Sequence, residues 1–146
     1  MSNYKTVFFI IGVLQIILGI FMAIPIFSQF IFSEIDSSFI TSSAITLVFG
    51  VLFVLSNLDY EKKINLKQAF LLTTLSWLTI AIFGSLPFYF SDLNISFTDS
   101  FFESMSGLTT TGSTIISNLE LAPKSVLLWR ALLQWLGGIG IIVMAI

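Results

Sequence analysis

The stretch SMSGLTTTGST, Ser104 to Thr114, carries no charge and, beyond Leu108, no large side chain. What it offers is oxygen. A monovalent cation sheds its water only where carbonyl or hydroxyl oxygens replace it, in sites weak enough for the ion to leave again. Thr109, Thr110, Thr111, Ser113 and Thr114 supply both kinds of oxygen. Gly112 permits the dihedrals that turn successive carbonyls toward one axis. An external turn could have the same composition, so the flanking residues decide.

Immediately upstream, Phe97, Phe101, Phe102, Met105 and Leu108 recur at helical spacing. Ser96, Thr98 and Ser100 offer N-caps, and Ser100 with Glu103 has capping-box spacing. The spacing predicts a helix over 98–108, about 11 residues or roughly 16 Å, half a bilayer. A half-length helix followed by Thr, Gly and Ser reads as a re-entrant loop, since irregular backbone at membrane depth survives only when buried in protein or lining a wet cavity. The negative end of the helix dipole, near Leu108, points at the same oxygens and favours a cation.

Farther out the chain is membrane-like. It is 56% hydrophobic and 10% charged, with a net charge of -2 and a mean hydropathy of +1.01. Six Lys and Arg without a cluster give no electrostatic basis for nucleic-acid binding. Without Cys or His the chain has no thiolate, imidazole base or usual transition-metal ligand. No general base accompanies the hydroxyls, so the sequence points to no enzyme. The N-terminal apolar run is too long for a signal peptide and is expected to be retained.

A bilayer core needs about 20 helical residues. Four runs qualify: about 6–32 with Pro25 kinking it, 39–57, 68–90, and one after Pro123 assigned to 125–146. The expected organisation is an N-terminal transmembrane helix pair (1–58), a loop (59–67), and a span, half-helix, filter (109–114), span repeat over 68–146. Lys62, Lys63 and Lys67 in the second loop, with Lys5, mark the cytoplasmic side. Glu34, Asp36, Asp92, Asp99 and Glu120 fall on the other. The N-terminus is thereby predicted to be cytoplasmic.

LPFYFSD (Leu86–Asp92), SFTDSFFESMSGLTTTGST (Ser96–Thr114) and LLWRALLQWLGGIGIIVMAI (Leu127–Ile146), in this order, resemble the Trk/Ktr/HKT superfamily of potassium transporters. The resemblance covers about 68–146, and the extra helix pair favours the Trk type. It implies an all-α, potassium-channel-like membrane fold in which four repeats surround one pore in a prokaryotic plasma membrane. It also implies that Gly112 is the filter glycine, that Thr110, Thr111 and Ser113 donate carbonyls, and that K+ sits at Thr110 and Thr111. Thr109 and Thr114 flank the filter. Potassium is then the transported ligand and no covalent cofactor is expected. The implied partners are the lipid bilayer, the remaining repeats or other copies of the chain, and a cytoplasmic nucleotide-binding regulatory subunit. The sequence stops inside the first repeat, which leaves a second reading: a non-conducting membrane module or truncated remnant packing against other chains.

Arg130, about one and a half turns into the last span, needs a partner in a bilayer. Glu103 on the half-helix is the candidate, clamping that helix behind the filter. On that basis, reversing both charges together should restore transport. Gly137, Gly138 and Gly140 read as close-packing positions, and Trp129 as an interfacial anchor.

Overall fold

The computed structural model describes residues 4–145 apart from Ile35 and Lys62, with side chains described as far as Gly140. It is all-helical: α1 (Lys5–Phe21), α2 (Ala23–Phe32), α3 (Ser38–Ser56), α4 (Leu66–Phe90), α5 (Phe97–Leu108) and α6 (Lys124–Ala145), with a 3-10 turn at Leu119–Leu121. Lys5–Phe32, Ser38–Ser56 and Leu66–Phe90 are long and apolar enough to cross a bilayer. At 22 residues, α6 reaches about 33 Å. Ile146, where the sequence ends that span, lies outside the described residues.

The first span is kinked. Pro25 has no amide to offer Phe21, and its ring crowds that carbonyl. α1 therefore stops at Phe21 and α2 resumes at Ala23. The Met22 amide still reaches the Leu18 carbonyl at 3.1 Å, so helical bonding carries through the break and Lys5–Phe32 stays one apolar stretch. α1 then packs on α3 at a crossing that only small residues allow. A β-carbon on Gly12 would come within 2.8 Å of the Gly50 carbonyl oxygen, and one on Gly50 within 2.9 Å of that of Gly12. Ser43 adds a hydrogen bond to the Gly19 carbonyl at 2.8 Å.

α4 begins at Leu66 because Asn65 and Gln68 form a reciprocal capping box, each side chain accepting from the other's backbone amide at 2.9 Å. Thr6 donates to the Glu61 carbonyl at 2.9 Å, and Lys5 lies 3.9 Å from Asp59. The N-terminus and the basic loop thus share one end of the bundle. Lys62, counted in that loop from sequence, falls outside the described residues.

One core joins the helix pair to the repeat. Leu18, Met22, Phe39, Phe88, Val126, Trp129 and Leu133 are all buried within it. Trp129 is fully enclosed, edge-on to Phe39, and its indole N–H donates to the Gly84 carbonyl at 2.9 Å. The expectation of an interfacial anchor is corrected: an indole whose N–H finds a carbonyl inside the bundle has no need of the headgroup region. On the outside, Phe30 and Ile31 of α2 are 76% and 77% exposed. Lipid contact stabilises such side chains where water would not.

Candidate functional site

α5 starts one residue earlier than its predicted bound. Ser96 is its N-cap, accepting from the Asp99 amide at 3.1 Å and donating to the Asp99 carboxylate at 2.8 Å. Ser100 instead donates to the Ser96 carbonyl, so the Ser100–Glu103 capping box expected from spacing does not form, and Glu103 is released for other work. On its buried side α5 presents Ser100, Glu103, Ser104, Ser106, Gly107 and Leu108. Small residues there let α4 and α6 approach: a β-carbon on Gly84 of α4 would lie 2.7 Å from the Ser104 hydroxyl, and one on Gly107 3.1 Å from Leu133 of α6.

Beyond Leu108 the backbone turns back on the helix end. The amide of Thr110 donates to Gly107 at 2.9 Å, and those of Thr111 and Gly112 donate to Ser106 at 3.0 and 3.2 Å. In a planar trans peptide, the N–H of one residue and the carbonyl of the residue before it point in opposite directions. Three amides drawn toward α5 therefore turn the carbonyls of Thr109, Thr110 and Thr111 away from it. Among the described residues, no protein donor meets these carbonyls or that of Gly112. The Ser113 carbonyl differs, because the Ser106 hydroxyl donates to it at 2.6 Å.

This turn requires unusual dihedrals. Gly112 has φ +77° and Thr110 φ +58°. For glycine the left-handed region is free, but for a β-branched residue it is a true outlier, of the kind that persists where surrounding contacts over-determine it. Thr109 and Thr111 join hydroxyls at 2.9 Å, and Thr109 also donates to the Met105 carbonyl. Thr109 through Ser113 are all exposed.

Glu103 ties this segment down. Its side chain is fully buried. One oxygen accepts from the Thr114 hydroxyl at 2.5 Å and the Ile115 amide at 2.6 Å. The other accepts from Arg130 Nε at 2.9 Å. A buried carboxylate is tolerable when its lone pairs are met in this way. The structure thus brings Glu103, Thr114 and Arg130 together behind Thr109–Ser113.

α6 backs the same segment. A β-carbon on Gly137 would fall on the Leu108 carbonyl, while one on Gly138 would lie 3.8 Å from the Thr110 methyl and one on Gly140 would meet nothing within 4 Å. Among the described residues, the close packing expected at all three glycines is found at Gly137 alone. Gln134 stands behind Gly112, its Nε2 3.6 Å from where a β-carbon there would be.

At the opposite end from Lys5, Glu34 caps α6. It accepts from the Lys124 amide at 2.5 Å, and from the Ser125 amide and hydroxyl at 3.2 and 2.6 Å. Burial by itself would raise its pKa. The Ser125 hydroxyl, the two amides and the Lys124 charge outweigh that and hold the carboxyl below its ordinary value. Ser106, Gln134 and Glu34 were not singled out from sequence. For Ser106 the available signal was its place among small residues on a short amphipathic helix. For Glu34, 90 positions from Lys124, there was none.

Residues 35–146 match the TrkH family, described as "Cation transport protein". The chain is 44% identical over 138 residues to the Trk system potassium uptake protein TrkI of Halomonas elongata, covering 94% of this chain and 28% of that one. It is 35% identical to the Trk system potassium uptake protein TrkH of Escherichia coli, covering 99% of this chain and 30% of the relative. The crystal structure of the potassium transporter TrkH from Vibrio parahaemolyticus superposes with a TM-score of 0.92 at 36% identity, covering 99% of this chain and 31% of that one. The chain therefore spans less than a third of the length of the relatives it matches.

Proposed function

The chain belongs to the TrkH family of cation transport proteins, and from that membership we propose that it forms one wall of a potassium-selective pore. Residues 109–114 are its filter strand, within a first repeat that runs from 68 to the end of the sequence. The observation that carries this reading is the set of carbonyls at Thr109, Thr110 and Thr111, turned away from α5 by amides that bond back to it and, like that of Gly112, unpartnered among the described residues. They are the oxygens that would replace a cation's water, and the carboxyl-terminal end of α5 adds negative potential at the same place. Thr110, Thr111 and Gly112 contribute ion-facing carbonyls. Ser113, engaged by Ser106, closes the strand, and Thr109, Thr114, Glu103 and Arg130 support it.

One strand cannot enclose an ion. The other walls come from further repeats or from other copies of the chain around a common axis. The charge distribution supports a cytoplasmic N-terminus, with Lys5, Lys63 and Lys67 at one end of the bundle and Glu34, Asp36, Asp92, Asp99 and Glu120 assigned to the other. Potassium is the proposed transported ion in a plasma membrane. By resemblance, the partner on the basic side is a nucleotide-binding regulatory subunit.

Growth at limiting potassium of cells lacking their own uptake systems tests the reading. The chain is expressed alone and as part of a complete pore polypeptide. Restored growth is expected from the complete polypeptide and not from the chain alone, with Gly112→Asp abolishing it. Full growth of the Gly112→Asp strain would remove residues 109–114 from the conduction path.

A further inference from the structure

α6 meets the filter segment turn by turn: Arg130 holds Glu103, Gly137 abuts Leu108, and Gly138 faces the Thr110 methyl. Gln134 lies on the same face, one helical turn past Arg130. Its side chain is half-buried and, among the described residues, its carboxamide has no hydrogen-bond partner. An apolar residue of the same size would fill this position without an unmatched amide.

The filter backbone has one untied peptide. The amides of Thr110, Thr111 and Gly112 are bonded to α5, and the Ser113 carbonyl is held by Ser106. Between these anchors, neither the Gly112 carbonyl nor the Ser113 amide has a protein partner among the described residues. Glycine on one side of that peptide leaves its rotation cheap. The carboxamide of Gln134, which carries both a donor and an acceptor, stands beside Gly112 without bonding to it, its Nε2 3.6 Å from where a β-carbon there would be.

We propose that Gln134 is a positioning residue for the filter, its free carboxamide closing from behind onto the untied Gly112–Ser113 peptide in the assembled pore and so setting how sharply the site distinguishes potassium from sodium. It never touches the ion. The proposal rests on the reading of residues 109–114 as a filter.

The test is made in the transport-competent assembly, whether its remaining strands come from downstream sequence or from other copies. Potassium and sodium fluxes are measured for Gln134→Leu and Gln134→Asn, with Gly112→Asp as control. Gln134→Leu keeps the volume and removes the hydrogen-bonding capacity. It is expected to lower potassium-over-sodium discrimination about fivefold, the scale of one hydrogen bond, at unchanged protein level and thermal midpoint. Gln134→Asn, with a shorter amide, should fall between. If the leucine variant folds poorly, the asparagine variant decides. Unchanged ion discrimination in the folded variants, or a fall in maximal flux alone, overturns the positioning role while leaving the filter intact if Gly112→Asp abolishes uptake. Persistent uptake with Gly112→Asp would instead remove the filter reading itself.

Discussion

At Gly112 the constraint is conformational and not spatial. The nearest atom to an added β-carbon is Gln134 Nε2 at 3.6 Å, an ordinary contact, yet φ is +77°. Gly112→Ala is therefore expected to cost about 1–2 kcal/mol of left-handed strain, visible as a lowered thermal midpoint in detergent, and to depress potassium flux far more than that destabilisation accounts for. Equal loss in both would make the glycine merely structural. Glu103 and Arg130 form a second pair of tests. Removing either side chain leaves a buried charge without its partner and should destabilise by about 3–5 kcal/mol. The charge swap Glu103→Arg with Arg130→Glu should recover part of that stability without transport, because an arginine at 103 cannot accept from the Thr114 hydroxyl and the Ile115 amide. This revises the expectation, drawn from charge alone, that the swap restores transport. The pairing was legible because a charge inside an apolar run demands a partner. The second role of Glu103 was not, since backbone amides carry no sequence signature.

Among elements, α6 supplies the sharpest contrast. Gly137→Ala must push α6 off the Leu108 carbonyl, whereas a methyl at Gly138 meets only the Thr110 methyl at 3.8 Å and one at Gly140 meets nothing. Overpacking of this kind costs about 1–3 kcal/mol. The Gly137 variant should lose thermal stability by that order and the other two should stay near the parent, which a side-by-side melt in detergent would establish. A uniform response from all three would mean that α6 is not seated on the end of α5. Membrane spans were readable because twenty apolar residues in a row have few other uses, and Pro25 announced its kink through the missing amide. Which of three nearby glycines is pressed against a neighbour depends on the rotation of α6, which composition does not encode. Nor did composition decide whether Ser96, Thr98 or Ser100 caps α5, because all three have the right chemistry.

At the scale of the molecule, Glu34 fastens the N-terminal helix pair to the rest of the bundle through the first turn of α6. A carboxyl whose folded pKa is lowered contributes stability above its unfolded pKa and loses it as pH falls through the folded value. The parent chain should thus be most firmly docked at neutral pH and loosen in the acid range below the ordinary carboxylate pKa. Glu34→Gln should begin less stable and show a shallower loss over that range. Thermal midpoints measured from neutral to acid pH would show this, and parallel curves for the two proteins would exclude Glu34 as the acid-sensitive fastening. The larger claim is that Thr110, Thr111 and Gly112 turn their carbonyls to a shared ion axis. Anomalous diffraction from the assembled pore, with rubidium replacing potassium, tests it most directly. A rubidium peak coordinated by the carbonyls of these residues is the predicted result; a fully occupied pore with its ions elsewhere, and none beside this strand, would contradict it.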